Sequence, residues 1–160
     1  MLTPLAVLAG ERLRWQGVMR LASVGAWAQF ACLLLAFLIL VFCFLTSDFS
    51  VTYVAQHSHS LLSWGLRLAA VWGGHEGSLL LWVLFLSGWS ALFAWRYRRE
   101  SDPLFPFTLS VLSAITALLL LFVVFWSDPF ARIFPPAIEG RDLNPMLQHL
   151  GLILHPPLLY

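Results

Sequence analysis

Residues Trp72–Trp95 read WGGHEGSLLLWVLFLSGWSALFAW, a polar, glycine-rich turn that opens directly into an apolar run. A helix crossing the hydrocarbon of a bilayer needs about 20 predominantly apolar residues. Two further runs of that kind lie at residues 21–46 and 104–126. The chain of 160 residues is 60% hydrophobic and 11% charged, against about 25% charged in an ordinary soluble domain. One globular core of this size cannot hide so much apolar surface, so the excess faces lipid. Inside lipid the backbone must satisfy its own polar groups, which makes the runs helices. The sequence therefore predicts an all-α, polytopic membrane protein, with residues 1–160 as a single membrane domain. Its spans fall at about 21–46, 78–95 and 104–126, and short surface helices occupy the segments 47–77 and 127–160.

The charges set an orientation. All nine basic residues are arginine. Arg12, Arg14 and Arg20 precede the first span, and Arg96, Arg98 and Arg99 follow the second, so these ends belong in the cytoplasm by the positive-inside rule. The segments 47–77 and 127–160 then lie on the other side. They hold Asp48, Glu76, Asp128, Glu139 and Asp142 and all five histidines, at 57, 59, 75, 149 and 155. A net charge of +1, with the arginines dispersed, argues against nucleic acid as a partner. No charge lies within a span, which argues against an ion or proton transporter. Cys32 and Cys43 share one run, where their separation is about 16 Å of helical rise. That is too far for a disulfide, and no CxxC occurs. The first residues, MLTPLAVLAGERLRW, place their charges after the apolar part, unlike a signal peptide. They read as the cytoplasmic end of a helix whose beginning is absent.

Local patterns place the polar residues. Ser60 to Gly74 reads as one helix with a narrow stripe of Ser60, Ser63, Arg67, Ala70 and Gly74, suited to the membrane surface or to packing against the spans. In WGGHEGS the glycines mark a turn, and Glu76 meets the positive end of the next helix dipole. Ser78 is placed to serve free N–H groups, and His75 to pair with Glu76 or a carbonyl. A zinc-protease HExxH motif would need histidine at position 79, which is leucine. Asn144–Pro145 reads as an N-cap and first helical residue, with the helix running to about Leu154. Pro156 and Pro157 then break it at His155. An imidazole fixed in an apolar surround suits axial ligation of haem iron, although a histidine in a turn often has no such role. His57 and His59 read as solvent-facing. The stripe Ser78, Trp82, Phe85 and Trp89 fits packing or lipid contact, and a flat porphyrin is the alternative.

Four stretches, SDFSVTYVAQHSHS (47–60), RLAAVWGGHEGSLLLWVLFLSGW (67–89), SDPFARIFPP (127–136) and IEGRDLNPMLQHLGLILHPPLLY (138–160), together resemble the N-terminal part of the CcmF-type cytochrome c biogenesis proteins. These are the large membrane subunits of the bacterial haem lyase. The resemblance implies a multi-pass protein of the bacterial inner membrane whose periplasmic face handles haem. Haem would pass from a periplasmic haem chaperone to apocytochrome c for thioether attachment, in company with other cytochrome c maturation membrane subunits. The family's first external haem-ligating histidine matches His155, while His75, Glu76, Arg141 and Asp142 match motifs of structural or partner-docking character. The family's signature WGxxWxWD does not occur in the sequence. The family's remaining haem-ligating histidines are expected beyond Tyr160. The chain thus reads as a fragment, a split-gene product or a truncated frame of a haem lyase, without a complete catalytic site. The alternative is a scaffold segment that docks partner subunits and binds no haem.

The orientation is open to cysteine labelling in a background lacking Cys32 and Cys43. A membrane-impermeant thiol reagent added from the periplasmic side should label a cysteine at position 144 and not one at 98; the reverse result overturns the topology.

Overall fold

The computed structural model describes residues 16–97 and 104–159, with side chains described from 21 onward. Arg12, Arg14, Arg98 and Arg99 lie outside the described residues, as do the side chain of Arg20 and the segment read as a helix end. Among the described residues the chain is helical, with no strand and one isolated bridge between Val51 and Arg132. The helices are α1 (Gln16–Leu45), α2 (Thr52–His57), α3 (Trp64–Ala70), α4 (His75–Tyr97), α5 (Leu104–Trp126) and, after a 3-10 turn at Pro145–Gln148, α6 (Leu150–Leu159). Leu21–Leu45, His75–Tyr97 and Leu104–Trp126 are long and apolar enough to cross a membrane.

The chain divides into two compact units. The described parts of Met1–Leu34 and Val83–Leu121 form the first. Its core joins Ala22 and Ala26 of α1, Ala94 of α4, and Phe105 and Leu109 of α5, with Phe93 packed beside it. Small side chains let helix backbones approach where lipid supplies no hydrophobic drive for association. Gly88 plays the same part under the ring of Phe30. The Phe93 and Phe105 rings stack at 5.6 Å. Buried hydroxyls are satisfied by their own helices: Ser87 Oγ donates to the Leu84 carbonyl at 2.8 Å, Ser110 Oγ to that of Pro106 at 2.7 Å, and Thr116 Oγ1 to that of Leu112 at 2.7 Å. Trp82, Phe85 and Trp89 are exposed along α4.

The second unit comprises Leu35–Trp82 and the described part of Phe122–Tyr160. Here the segment between the first two spans and the segment after the third fold as one. Thr52 N–H donates to the Ala131 carbonyl at 2.8 Å and Ile133 N–H to that of Ser50 at 3.0 Å. Arg141 N–H donates to the Ala55 carbonyl at 2.8 Å and Asp142 N–H to that of Ser58 at 3.2 Å. Glu139 closes the seam, its carboxylate accepting from Ser60 N–H at 3.0 Å and Ser60 Oγ at 2.6 Å.

This seam also corrects the expected helix over Ser60–Gly74. Ser60 is held by Glu139, so helix begins only at Trp64 and ends at Ala70. The Arg67 guanidinium, on the stripe read as suited to the membrane surface or to packing, donates to the carbonyls of Leu62 at 3.0 Å, Leu45 at 3.2 Å, and Ser60. The Leu45 carbonyl is one of those left without a partner at the end of α1.

Bonds from Ser60 Oγ, Gly140 N–H and Ser60 N–H hold the Glu139 carboxyl down at about 2, from an ordinary 4.5. A lowered folded-state value means that its contribution is complete above about pH 4.5 and is lost as pH falls toward 2. Thermal unfolding in detergent should therefore show stability falling across that window. Glu139→Gln should be less stable at neutral pH and flatter below it; an unchanged acid profile in the variant would contradict the assignment.

Candidate functional site

The turn between α3 and α4 is organised by Tyr53 of α2. Its phenol is 2% exposed. It donates to the Val71 carbonyl at 3.0 Å and accepts from Gly74 N–H at 3.0 Å. Burial, with the charge of Glu76 adding to it, raises the phenol far above its ordinary range, so it stays a neutral donor. Gly77 has no room for a side chain: a Cβ there would collide with the Val71 carbonyl. Glu76 lies in the first turn of α4, as its place after the glycines indicates. Ser78 Oγ donates to the Trp72 carbonyl at 3.0 Å rather than serving N–H groups.

The same turn reaches the distal segment. Gly73 packs under Leu143 and Leu147. Trp72 Nε1 donates to the Ile153 carbonyl of α6 at 2.8 Å. Asn144 is the N-cap, its side chain accepting from Met146 N–H at 3.1 Å. The helix it starts is only the 3-10 turn Pro145–Gln148; the break falls at His149, and α6 then runs continuously through Pro156 and Pro157. The expected break at His155 is thus displaced six residues upstream. Proline φ is compatible with helix, and what proline removes is a donor. His155 accordingly stands inside α6, exposed, with no side chain of α6 buried around it. The apolar surround expected for it consists of the exposed Leu152, Leu154, Leu158 and Leu159.

The five histidines are distinguished by their ring nitrogens. Leu61 N–H donates to His59 Nδ1 at 3.1 Å, and Gly151 N–H donates to His149 Nδ1 at 3.2 Å. An accepting Nδ1 places the proton of the neutral ring on Nε2, leaving no free lone pair. His57 Nδ1 faces the Tyr53 carbonyl at 3.1 Å and so carries the proton, while its Nε2 packs against Gly74. His75 pairs not with Glu76 but with Ser127 Oγ at 3.1 Å, its ring edge-on to Phe122 at 6.3 Å. His155 alone has neither nitrogen bonded among the described residues. The structure does not bring it together with His75, Glu76, Arg141 or Asp142 in one cluster. Arg141 acts through its backbone N–H, and Asp142, at φ 79°, through its backbone N–H and its carboxylate, whose Oδ1 accepts from Leu143 N–H at 2.7 Å. Among the described residues no group of three or more His, Cys, Asp or Glu is arranged to hold a metal ion. Tyr53 and Ser127 were missed in the sequence because their partners lie 21 and 52 residues away.

The arrangement is that of a polytopic helical membrane protein in which the segments after the first and third spans fold together and carry a helix with an uncommitted imidazole. The chain belongs to the cytochrome c assembly protein family, whose model matches residues 72–160. It is 76% identical over 160 residues to the probable cytochrome c-type biogenesis protein NrfE of Escherichia coli strain K12, covering all of this chain and 29% of that relative. It is 48% identical over 153 residues to the cytochrome c-type biogenesis protein CcmF of Pseudomonas fluorescens, covering 94% of this chain and 22% of that one. The CcmF of Escherichia coli strain K12 is 49% identical over 136 residues, covering 84% and 21%. The chain thus spans less than a third of the length of these relatives. No solved structure matches it significantly.

Tyr53→Phe removes a donor and an acceptor from buried partners, at a cost of about 1–3 kcal/mol. A lower unfolding temperature in detergent and faster proteolysis within residues 71–77 are expected; unchanged values would show that the phenol does not hold the turn.

Proposed function

We propose that this chain is a haem-handling segment of a bacterial inner-membrane cytochrome c maturation machinery. The segments 47–77 and 127–160 face the periplasm in this reading. Haem is the cargo, taken from a periplasmic haem chaperone and presented to apocytochrome c for thioether attachment, alongside other maturation subunits in the bilayer. His155 is the residue that holds the iron. The observation that supports this is its free ring: its imidazole is exposed on an apolar helix with neither nitrogen bonded among the described residues. The Leu152, Leu154, Leu158 and Leu159 side chains offer a porphyrin an apolar bed, and a neutral imidazole supplies the axial nitrogen. His57, His59 and His149 have committed rings and take no part. The names of the relatives, all biogenesis proteins of c-type cytochromes, point the same way.

A scaffold reading is favoured by a different observation. Phe134 and Ile138, in the segment after α5, are 96% and 101% exposed, as residues that dock a partner subunit would be.

His155→Ala and His155→Gly in the full-length protein should abolish cytochrome c maturation, measured as covalently bound haem per cell, with protein abundance unchanged. Added imidazole should partly restore it in the glycine form by filling the vacated position. Substitutions of His57, His59 or His149 should spare maturation. Normal maturation with His155→Ala would leave the scaffold reading standing and the haem site wrong.

A further inference from the structure

Ile153 holds a singular position in α6. In an α-helix its carbonyl accepts from residue 157, and in a 3-10 turn from residue 156. Both residues are proline and have no N–H to give. The helix therefore carries one main-chain acceptor that neither kind of helical bond can serve. That acceptor is where Trp72 Nε1 donates, at 2.8 Å. The remaining ties of α6 near its start are local: Leu152 and Ile153 N–H to the His149 carbonyl, and Gly151 N–H to His149 Nδ1. No side chain of α6 is fully buried; Ile153, Pro156 and Pro157, on one face, are half-buried, so packing chooses the inward face only loosely. A directional bond to its backbone fixes it.

We propose that Trp72 is a positioning residue for His155, and that the proline pair serves to expose the Ile153 carbonyl as its docking point. The inference rests on the reading of His155 as the haem ligand. The indole holds one point of α6 against the α3–α4 turn, and Gly73, packed under Leu147, holds a second just upstream. His155 lies two residues beyond the held carbonyl, about 200° further round the helix, so the bond sets the direction in which the imidazole points. The Trp72 end is itself anchored, its carbonyl accepting from Ser78 Oγ in the first turn of α4. The two motifs WGGHEGS and GLILHPPLLY thus work as one device.

The test is a double-mutant cycle in the full-length protein. Trp72→Phe keeps the ring and deletes the donor; Pro157→Ala returns an intrahelical N–H to the Ile153 carbonyl. Amide exchange over residues 150–159 reads the latch, and the spectrum of added ferric haem in detergent reads the ligand. Trp72→Phe should speed exchange in α6 by about three- to tenfold, the range of one lost backbone hydrogen bond. It should also lower the low-spin, imidazole-ligated fraction of haem, and added imidazole should recover that fraction. In the Pro157→Ala background the exchange effect of Trp72→Phe should shrink, because the carbonyl keeps a partner. Unchanged exchange in Trp72→Phe, or an equal effect in both backgrounds, overturns the latch whatever His155 does. Faster exchange with an unaltered haem spectrum, where His155→Ala alters it, reduces the bond to a structural tie and overturns the positioning role. A haem spectrum indifferent to both His155→Ala and Trp72→Phe overturns the haem reading on which the proposal rests.

Discussion

A carbonyl that its own helix cannot serve governs much of the second unit. Two consecutive prolines leave Ile153 without a helical donor, and the indole of Trp72 takes the place. An unpaired backbone group in apolar surroundings is costly enough that such positions are nearly always filled from somewhere. The requirement runs backward through the chain. Trp72 must be held where its N–H reaches α6, which needs the turn at Gly73–Gly77, which in turn needs the buried phenol of Tyr53 bridging Val71 and Gly74. A helix with no buried side chain thereby acquires a defined place.

The same economy recurs at the seam between the segments that follow the first and third spans. Helix ends leave carbonyls without partners, and here charged side chains and remote N–H groups supply them. Arg67 serves Leu45 at the end of α1, while the backbone of Arg141 and Asp142 serves Ala55 and Ser58 at and beyond α2. Glu139 does the converse, accepting from exposed donors on Ser60 and Gly140. The residues of the EGRDLNP stretch thus hold structure through main chain and carboxylate. The aromatic and aliphatic side chains left outward, Phe134 and Ile138 among them, are free to meet lipid or protein.

In the first unit the logic is that of helices in a bilayer. Alanine and glycine line the contacts, hydroxyls turn back onto their own helices, and large apolar side chains such as Trp89 and Leu118 face outward. Such packing depends on closeness rather than on hydrophobic drive, and alanines on α1 and α4 make room there for the buried Phe105 and Leu109 of α5.

Much of this was legible in the residues alone. Length and apolarity place three helices; proline and asparagine chemistry places the cap at Asn144; glycine followed by glutamate places the start of α4. The motifs WGGHEGSLLLW, EGRDLNP and GLILHPPLLY point to the family, whereas two local signals misled: the helix-breaking power of proline, which set the break at His155, and the apolar pattern over Ser60–Gly74, which set one long helix where only Trp64–Ala70 is helical. What only the tertiary structure decided is which distant groups meet. The Ser127 partner of His75, the hold of Glu139 on Ser60, and the indole on Ile153 join residues 52, 79 and 81 positions apart. Periodicity and propensity act over a few residues. A hydrogen bond to an unserved carbonyl can be satisfied by any donor that folding brings near, so the need at Ile153, which arises because α6 continues through Pro156 and Pro157, and its answer in Trp72 both belong to the folded chain.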